Sequence, residues 1–343
     1  MGAPKYQVSH DAQGALTEYS DAFNAAYVIA EDSDLASQFG LVYPMNGQLQ
    51  AVFPIPVSVP GWWEFKGDHK FRDLGERSMS VTLKTWQTGV REKVARIRSV
   101  SWNGWGDAPA QAATMLARLP SKLVGEMLAL NSYQGPLLDF YREELPGGST
   151  ASTLYLFDEH PINPLLPATG TNVFTNYKAS GTYTSIDEAL IKHMKEYFAS
   201  LKDPSGEYLG LELTHLFFNP ARKQEAEDFF DISMVARPVK NEAGSENVAA
   251  IAVENRHRGS VTPVEWKQWG SGFDDLVIGY AQAAPKPWVV ATDGPPEELT
   301  WDENSDYFKE TGGNTEGYIK TSRIAKLDVK ATLPHALYKV DLS

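Results

Sequence analysis

The sequence contains no cysteine. Disulfides, thiolate metal sites, cysteine nucleophiles and iron–sulfur clusters are therefore excluded in any compartment. Long apolar runs are also missing: nothing approaches the ~20 apolar residues a membrane-spanning helix needs. The most apolar stretch, Ala51 to Pro60, is interrupted by Pro54 and Pro56. A soluble chain without membrane contact is expected. The opening residues, MGAPKYQVSH, lack the apolar core of a secretory signal, and Tyr6 stands where a myristoylation signal carries Ser or Thr, so neither export nor lipid anchoring is expected. Positive charge is scarce, with 31 Lys and Arg against 44 Asp and Glu and a net charge of −13. A general nucleic-acid binder would need a basic face for phosphate, and this composition argues against one.

The common catalytic signatures are absent too: no GxxxxGK(S/T) phosphate loop, no GxGxxG, no HExxH and no GxSxG. None of the seven histidines, at positions 10, 69, 160, 193, 215, 257 and 335, pairs with another at ligand spacing on a predicted helix. Neither a catalytic, a cofactor nor a metal site is expected. What the chain does have is 343 residues of ordinary globular composition, 42% hydrophobic and 11% aromatic, enough for one large domain or two to three smaller ones.

Leu16, Tyr19, Phe23, Ala26 and Tyr27 recur at helical spacing and predict an amphipathic helix over residues 10–30. Pro44, Pro54, Pro56 and Pro60 deny helix to residues 41–60 and predict an extended arm. Residues 62–100 read as a hairpin or long loop with β edges: Met79, Val81 and Leu83 alternate with polar residues, and Val90 to Arg98 follows a Gln87-Thr88-Gly89 turn. Asp107 is placed to cap the longest helix, whose stripe of Ala112, Met115, Leu116, Leu119, Leu123, Met127 and Leu130 runs to Asn131, with a break near Leu116 caused by Pro120. A second helix opens at Ser185 with Glu188 completing a capping box. Leu211 to Phe218 reads as a short buried strand, and Asn219-Pro220 starts a third helix to about Phe230. Short strands follow at Val248–Val253, Val261–Trp269, Leu276–Tyr280 and Trp288–Ala291, and two more between Tyr318 and Val340 flank Leu333-Pro334.

Charge is unevenly distributed. Residues 66–98 hold nine Lys or Arg against four acids, a surplus of +5 that leaves −18 for the remainder. Conversely, Asp293, Glu297, Glu298, Asp302, Glu303, Asp306, Glu310 and Glu316 form an acidic run broken only by Lys309, without the alternate oxygens and sharp Gly turn that calcium requires. A chain with opposite charges on separate extended elements can be complementary to copies of itself. Asp158-Glu159-His160 could supply a general base or metal ligands; followed by Pro161, it reads first as a turn after a Leu154–Phe157 strand. Nine tryptophans and the many acids leave open a carbohydrate-active or other hydrolytic enzyme as the alternative, and a binding or adaptor module beyond that. The plainer role of Trp62, Trp63, Trp86, Trp102 and Trp105 is burial against protein.

The order of these elements resembles the major capsid protein fold of tailed bacteriophages, the Hong Kong 97 type, and the local motifs are most similar to its Mu-like major head subunit branch. They are Phe71-Arg72-Asp73-Leu74-Gly75-Glu76-Arg77, Val90-Arg91-Glu92-Lys93-Val94-Ala95-Arg96-Ile97, Leu156-Phe157-Asp158-Glu159-His160-Pro161, and Leu209-Gly210-Leu211-Glu212-Leu213-Thr214-His215-Leu216-Phe217-Phe218-Asn219-Pro220. Motifs cover roughly residues 60 to 235; the Pro-rich arm, Pro120 and residues 236–343 depart from the pattern. The resemblance implies an α+β capsid fold with an N-terminal arm (1–61), an E-loop and start of the peripheral domain (62–106), a spine helix (107–134), a mainly axial domain (135–310), and C-terminal strands (311–343) returning to the peripheral domain. It also implies a structural, non-enzymatic virion protein that is assembled in the host cytoplasm. Its hexamers and pentamers would enclose double-stranded DNA without sequence-specific binding, with scaffolding, portal and decoration proteins as further partners and no cofactor. On that reading Arg72, Arg77, Lys84 and Arg91 would meet acids of an adjacent copy, drawn from Glu298, Asp302, Glu303 and Asp306.

Overall fold

A computed structural model describes residues 11–31, 34–56, 76–130, 156–162, 170, 173–203, 206–240, 246–255, 257–270, 272–283, 286–301, 318–332 and 334–342. Along the chain these form α1 (Ala12–Glu31), α2 (Leu35–Phe39), β1 (Leu41–Pro44), β2 (Gln50–Pro56), β3 (Glu76–Thr82), β4 (Lys84–Lys93), α3 (Val94–Ile97), α4 (Ala108–Ala117) and α5 (Leu119–Leu130). Next come β5 (Glu159–Pro161), β6 (Val173–Thr175), β7 (Tyr177–Lys178), α6 (Glu188–Ser200), β8 (Leu213–Phe218), α7 (Lys223–Asp231), β9 (Met234–Lys240), β10 (Glu246–Glu254), β11 (Thr262–Glu265) and β12 (Leu276–Ala281). The chain closes with β13 (Trp288–Thr292), β14 (Glu297–Trp301), β15 (Tyr318–Ala331) and β16 (Leu337–Asp341). The result is a mixed α+β chain in two units, the first built from 1–51, 81–124 and 289–329 and the second from 52–80, 125–288 and 330–343. Among the described residues no helix is long and apolar enough to cross a membrane.

The first unit is a five-stranded sheet covered by α1 and α4. Its strands run β1-β13-β15-β14, with β4 also paired to β15. β4 lies antiparallel to β15 from Tyr318 opposite Lys93 to Leu327 opposite Lys84, and β14 lies antiparallel from Glu297 opposite Ile324 to Trp301 opposite Lys320. Side chains of a strand alternate between faces. Ile319, Thr321, Arg323, Ala325 and Leu327 are accordingly buried, while Lys320, Ile324 and Lys326 are only half-buried. The helical spacing read in α1 has the same cause: Tyr19 and Phe23 pack with Ala113 and Leu116 of α4 and with Ala325 and Leu327 of the sheet. Trp105 donates its ring N–H to the Ala15 carbonyl at 2.6 Å, and Trp86 donates to that of Leu327 at 3.1 Å. Asp34 caps α2 through the Ser37 N–H at 2.9 Å and also accepts from the Ser121 N–H of α5 at 3.1 Å.

Several expectations are corrected here. Gln87-Thr88-Gly89 is no turn but the middle of β4, and β4 forms no hairpin with β3, which pairs with β2 instead. A Cβ on Gly89 would stand 2.9 Å from that of Ser322, so this glycine serves close strand approach, which reads locally like a turn. The predicted long helix is two, α4 and α5, and the break expected near Leu116 falls at Arg118. Pro120 falls in the first turn of α5, where its missing N–H costs nothing. Among the described residues the longest helix is α1, with 20 residues. Two residues of the predicted stripe lie outside the core: Met115 is 76% exposed and Leu130 is also exposed. Asp107 makes no side-chain cap. In the second unit, Asp187 and not Ser185 caps α6, accepting from the Leu190 N–H at 2.8 Å. The Asn219 cap, bonded to the Ala221 N–H at 2.9 Å, stands as read, with one turn of 3-10 helix leading into α7.

The second unit centres on a mixed sheet of order β11-β8-β12-β16-β7. One face holds Leu213, Leu216, Phe218, Val277, Tyr338 and Val340 against Leu190, Met194 and Phe198 of α6 and Phe230 of α7. On β8 and β12, Phe217 and Tyr280 alternate with those residues and meet Trp266 and Trp288, with ring centroids 5.3–6.4 Å apart. The C-terminal half of α5 lies against the same tryptophans: Trp269 donates to the Gly125 carbonyl at 2.9 Å, and Lys339 caps the helix end by donating to the Ala129 carbonyl at 3.2 Å. A Cβ at Gly125 would come within 2.6 Å of Trp266 Nε1. Since Trp266 is fully buried, Gly125→Ala should destabilise the chain by about 1–3 kcal/mol through overpacking, read as a lower thermal midpoint.

Candidate functional site

The acid–histidine triplet is structural. His160 on β5 is fully buried, its ring stands 5.4 Å from that of Phe174, and its Nε2 donates to the Leu156 carbonyl at 3.1 Å. Asn176 ties the same corner together, donating to the Leu156 and Pro334 carbonyls and accepting the Asp158 N–H at 2.9 Å. Burial pushes the imidazole down to about 4, against the opposing pull of the Leu156 carbonyl and Asp158. Burial and the neighbouring His160 likewise hold His335 at about 4. With no solvent access, His160 offers a substrate no base. Among the described residues, no three His, Asp or Glu side chains are grouped to hold a metal. Of the tryptophans read as structural, Trp102 is buried and Trp86 and Trp105 are half-buried and hydrogen-bonded, while Trp62 and Trp63 lie outside the described residues.

Of the charged residues selected from sequence, Lys84, Arg91 and Glu298 lie on the first unit's sheet. Lys84 begins β4, 3.3 Å from Asp328. Arg91 lies over the Tyr318 ring at 5.3 Å, and Lys93 over the same ring at 5.6 Å. Glu298 of β14 is engaged within its own chain: its carboxylate takes Arg323 at 2.9 Å and the Ser20 hydroxyl at 2.8 Å, while Arg323 also donates to Ser20 and stands 4.8 Å over Phe23. Arg77 lies on β3; Arg72, Asp302, Glu303 and Asp306 lie outside the described residues.

Sequence reasoning missed the cations of β15. Lys320 and Lys326 occupy even positions between buried odd ones, and that period of two was the available signal. Lys326 bridges Asp293 at 3.4 Å and Glu297 at 3.3 Å. Asp293, which also accepts the Gly47 N–H at 2.6 Å, is held below its ordinary pKa by that bond first and by Lys326 second. Beyond them, an open groove of about 590 Å³ runs over Gly89 and Ser322, with Gln87, Arg91 and Lys320 among its walls. Arg91 and Lys320 are direct cross-strand partners. This surface can hold an anionic, extended ligand; it presents no nucleophile aligned with a base.

No family model matches the sequence, and no curated protein matches it. Solved structures with similar backbones include the capsid structure of the cyanophage P-SCSP1u, 8% identical over 90% of this chain and 88% of that one with a TM-score of 0.49. Another is from Microbacterium phage Oxtober96, 10% identical over 90% of each chain with a TM-score of 0.48. A third is a virus-like particle from Pyrococcus furiosus, 12% identical over 94% of this chain and all of that one with a TM-score of 0.46.

Two outcomes follow from the buried charges. Glu298→Ala would leave the guanidinium of Arg323, 3% exposed, without its carboxylate. Breaking such a pair should cost about 3 kcal/mol in urea unfolding, the low end for buried pairs because Glu298 retains some solvent. His160 is neutral when folded but titrates near 6.5 when unfolded, so the unfolded state binds the extra proton between those values. Stability should therefore be complete above pH 6.5 and fall as pH drops toward 4, by on the order of 3 kcal/mol for this imidazole. His160→Asn should flatten that slope in unfolding midpoints measured at pH 7 and 4.5.

Proposed function

We propose that this chain is the major capsid (head) protein of a tailed bacteriophage, a structural subunit that assembles head-to-tail into the hexamers and pentamers of an icosahedral shell around double-stranded DNA. The observation that carries the reading is the separation of charge: cations collect on residues 66–98 and on the outer face of β4 and β15, acids collect over residues 293–316, and the rest of the chain is acidic. Such a surface is complementary to a second copy of itself, and head-to-tail repetition closes into rings when the rotation allows. The ordered capsid-like motifs between residues 60 and 235 support the same assignment.

In this reading residues 62–106 are the E-loop, which reaches over a neighbouring subunit, and the start of the peripheral domain, to which β4 belongs; residues 107–134 form its spine, residues 135–310 make most of the axial domain, and residues 311–343 return to the peripheral domain. Arg72, Arg77, Lys84 and Arg91 then face acids of the adjacent copy. Asp302, Glu303 and Asp306 are the better counterparts, since Glu298 is engaged by Arg323. With no cysteine, disulfides do not lock the shell, and any covalent locking would be isopeptide chemistry; we read the locking as noncovalent, through apolar interface cores rimmed by polar contacts. Scaffolding, portal and decoration proteins are the further partners of a virion shell.

Negative-stain electron microscopy of the expressed chain, alone and with a co-expressed scaffold, tests this. Closed shells, tubes or five- and six-fold rings are expected, and deleting residues 66–98 should abolish them. A species that stays monomeric in both cases and cleaves a glycan would replace the shell with the enzyme reading.

A further inference from the structure

One face of α4 packs on α1 and the sheet; the other is uncovered among the described residues, and its chemistry is ordered along its length. Asp107, Ala110, Gln111, Thr114, Met115 and Arg118 line an open groove of about 520 Å³. Their spacings of three and four put them on one side of the helix, opposite the buried Pro109, Ala113, Leu116 and Ala117. The acid and the base stand at the two ends, roughly 17 Å apart at 1.5 Å per residue, too far to pair with each other. Asp107 forms no side-chain cap, and among the described residues neither side chain has an ion-pair partner. Between them Met115 holds a long apolar side chain in water.

We propose that this face of α4 pairs antiparallel with α4 of a second copy of the chain, across a two-fold axis through the middle of the helix. The axis that brings Asp107 opposite the partner's Arg118 also brings Ala110 opposite the partner's Met115, small against large, and Gln111 opposite the partner's Thr114. Thr114 donates its hydroxyl to the Ala110 carbonyl at 2.8 Å, which leaves its oxygen to accept from the glutamine amide. Every contact occurs twice, because a two-fold interface uses the same patch on both copies. Antiparallel helices also set opposite dipole ends side by side, whereas a parallel copy would set acid on acid and base on base. The inference rests on the shell reading and deepens it: head-to-tail contacts close a ring, and joining rings into a shell needs a second contact, which this pair supplies. A helix of ten residues buries far less than the roughly 1,200 Å² of a stable free-standing interface, so the contact acts by repetition across the shell.

Ala110→Cys with Met115→Cys in one chain tests the pairing. Five residues apart on a helix, the two thiols lie beyond the roughly 7 Å between Cα atoms that a disulfide tolerates, and the chain has no other cysteine, so oxidation joins only different copies. Particles are isolated, oxidised and run on a non-reducing denaturing gel. A band of two chains and nothing larger is expected, because both disulfides of a two-fold pair link the same two copies. A ladder of larger multimers, or monomer alone, overturns the α4 pairing and leaves the shell standing. Absence of particles from the unmodified chain, alone and with a co-expressed scaffold, overturns both. Independently, Arg118→Glu sets two pairs of carboxylates face to face in each contact and should lower particle yield about tenfold; adding Asp107→Lys should restore it. Undiminished yield from the single variant overturns the proposal. Thermal unfolding of the soluble Arg118→Glu chain separates a lost contact, with an unchanged midpoint, from a lost fold, in which case the gel decides.

Discussion

The first unit depends on one strand. β15 supplies fourteen residues of backbone to which β4, β13 and β14 are bonded, and β1 joins through β13. Its buried face carries the side chains on which α1 and α4 pack, together with a single guanidinium that burial would forbid without a counter-charge. Arg323 therefore sets a condition on two separate pieces of chain: Glu298 of β14 and Ser20 and Phe23 of α1 must arrive together around it. Segments remote in sequence are thus held in one register by one strand and one ion pair.

In the second unit the equivalent constraint is steric. Trp266, Trp269 and Trp288 fill one face of the β8–β12 sheet, and the helix opposite can approach only because position 125 has no side chain. The other face is closed by the apolar stripe of α6. The two faces of one sheet are thus closed differently, by stacked tryptophans on one side and by mixed aliphatic and aromatic side chains on the other.

The opposite face of β15 carries its lysines. Strand alternation that buries Ile319, Thr321 and Arg323 turns Lys320 outward, opposite Arg91 of β4, and turns Lys326 outward to Asp293 and Glu297. On the shell proposal, folding and assembly are linked through this strand, because the alternation that completes the core also sets the surface offered to a neighbour.

Local pattern determined a good deal. Apolar spacing placed α1 and α6, Asn219-Pro220 marked the start of α7, and β8, β12, β13, β15 and β16 were legible as short apolar or alternating runs. These depend on neighbours within a few residues, so a local window contains their cause. Strand partnership was out of reach: Gly89 resembles a turn until Ser322 is set against it, and β4 resembles half a hairpin until β15 arrives from more than 200 residues away. The roles of Glu298 and His160 were likewise hidden, since a carboxylate or imidazole has the same letter whether it faces solvent or a buried partner. The sequence by itself determined the helices, the apolar strands and the separation of charge. Only the tertiary structure decided which strands pair and which carboxylate meets Arg323, because that depends on contacts between distant segments.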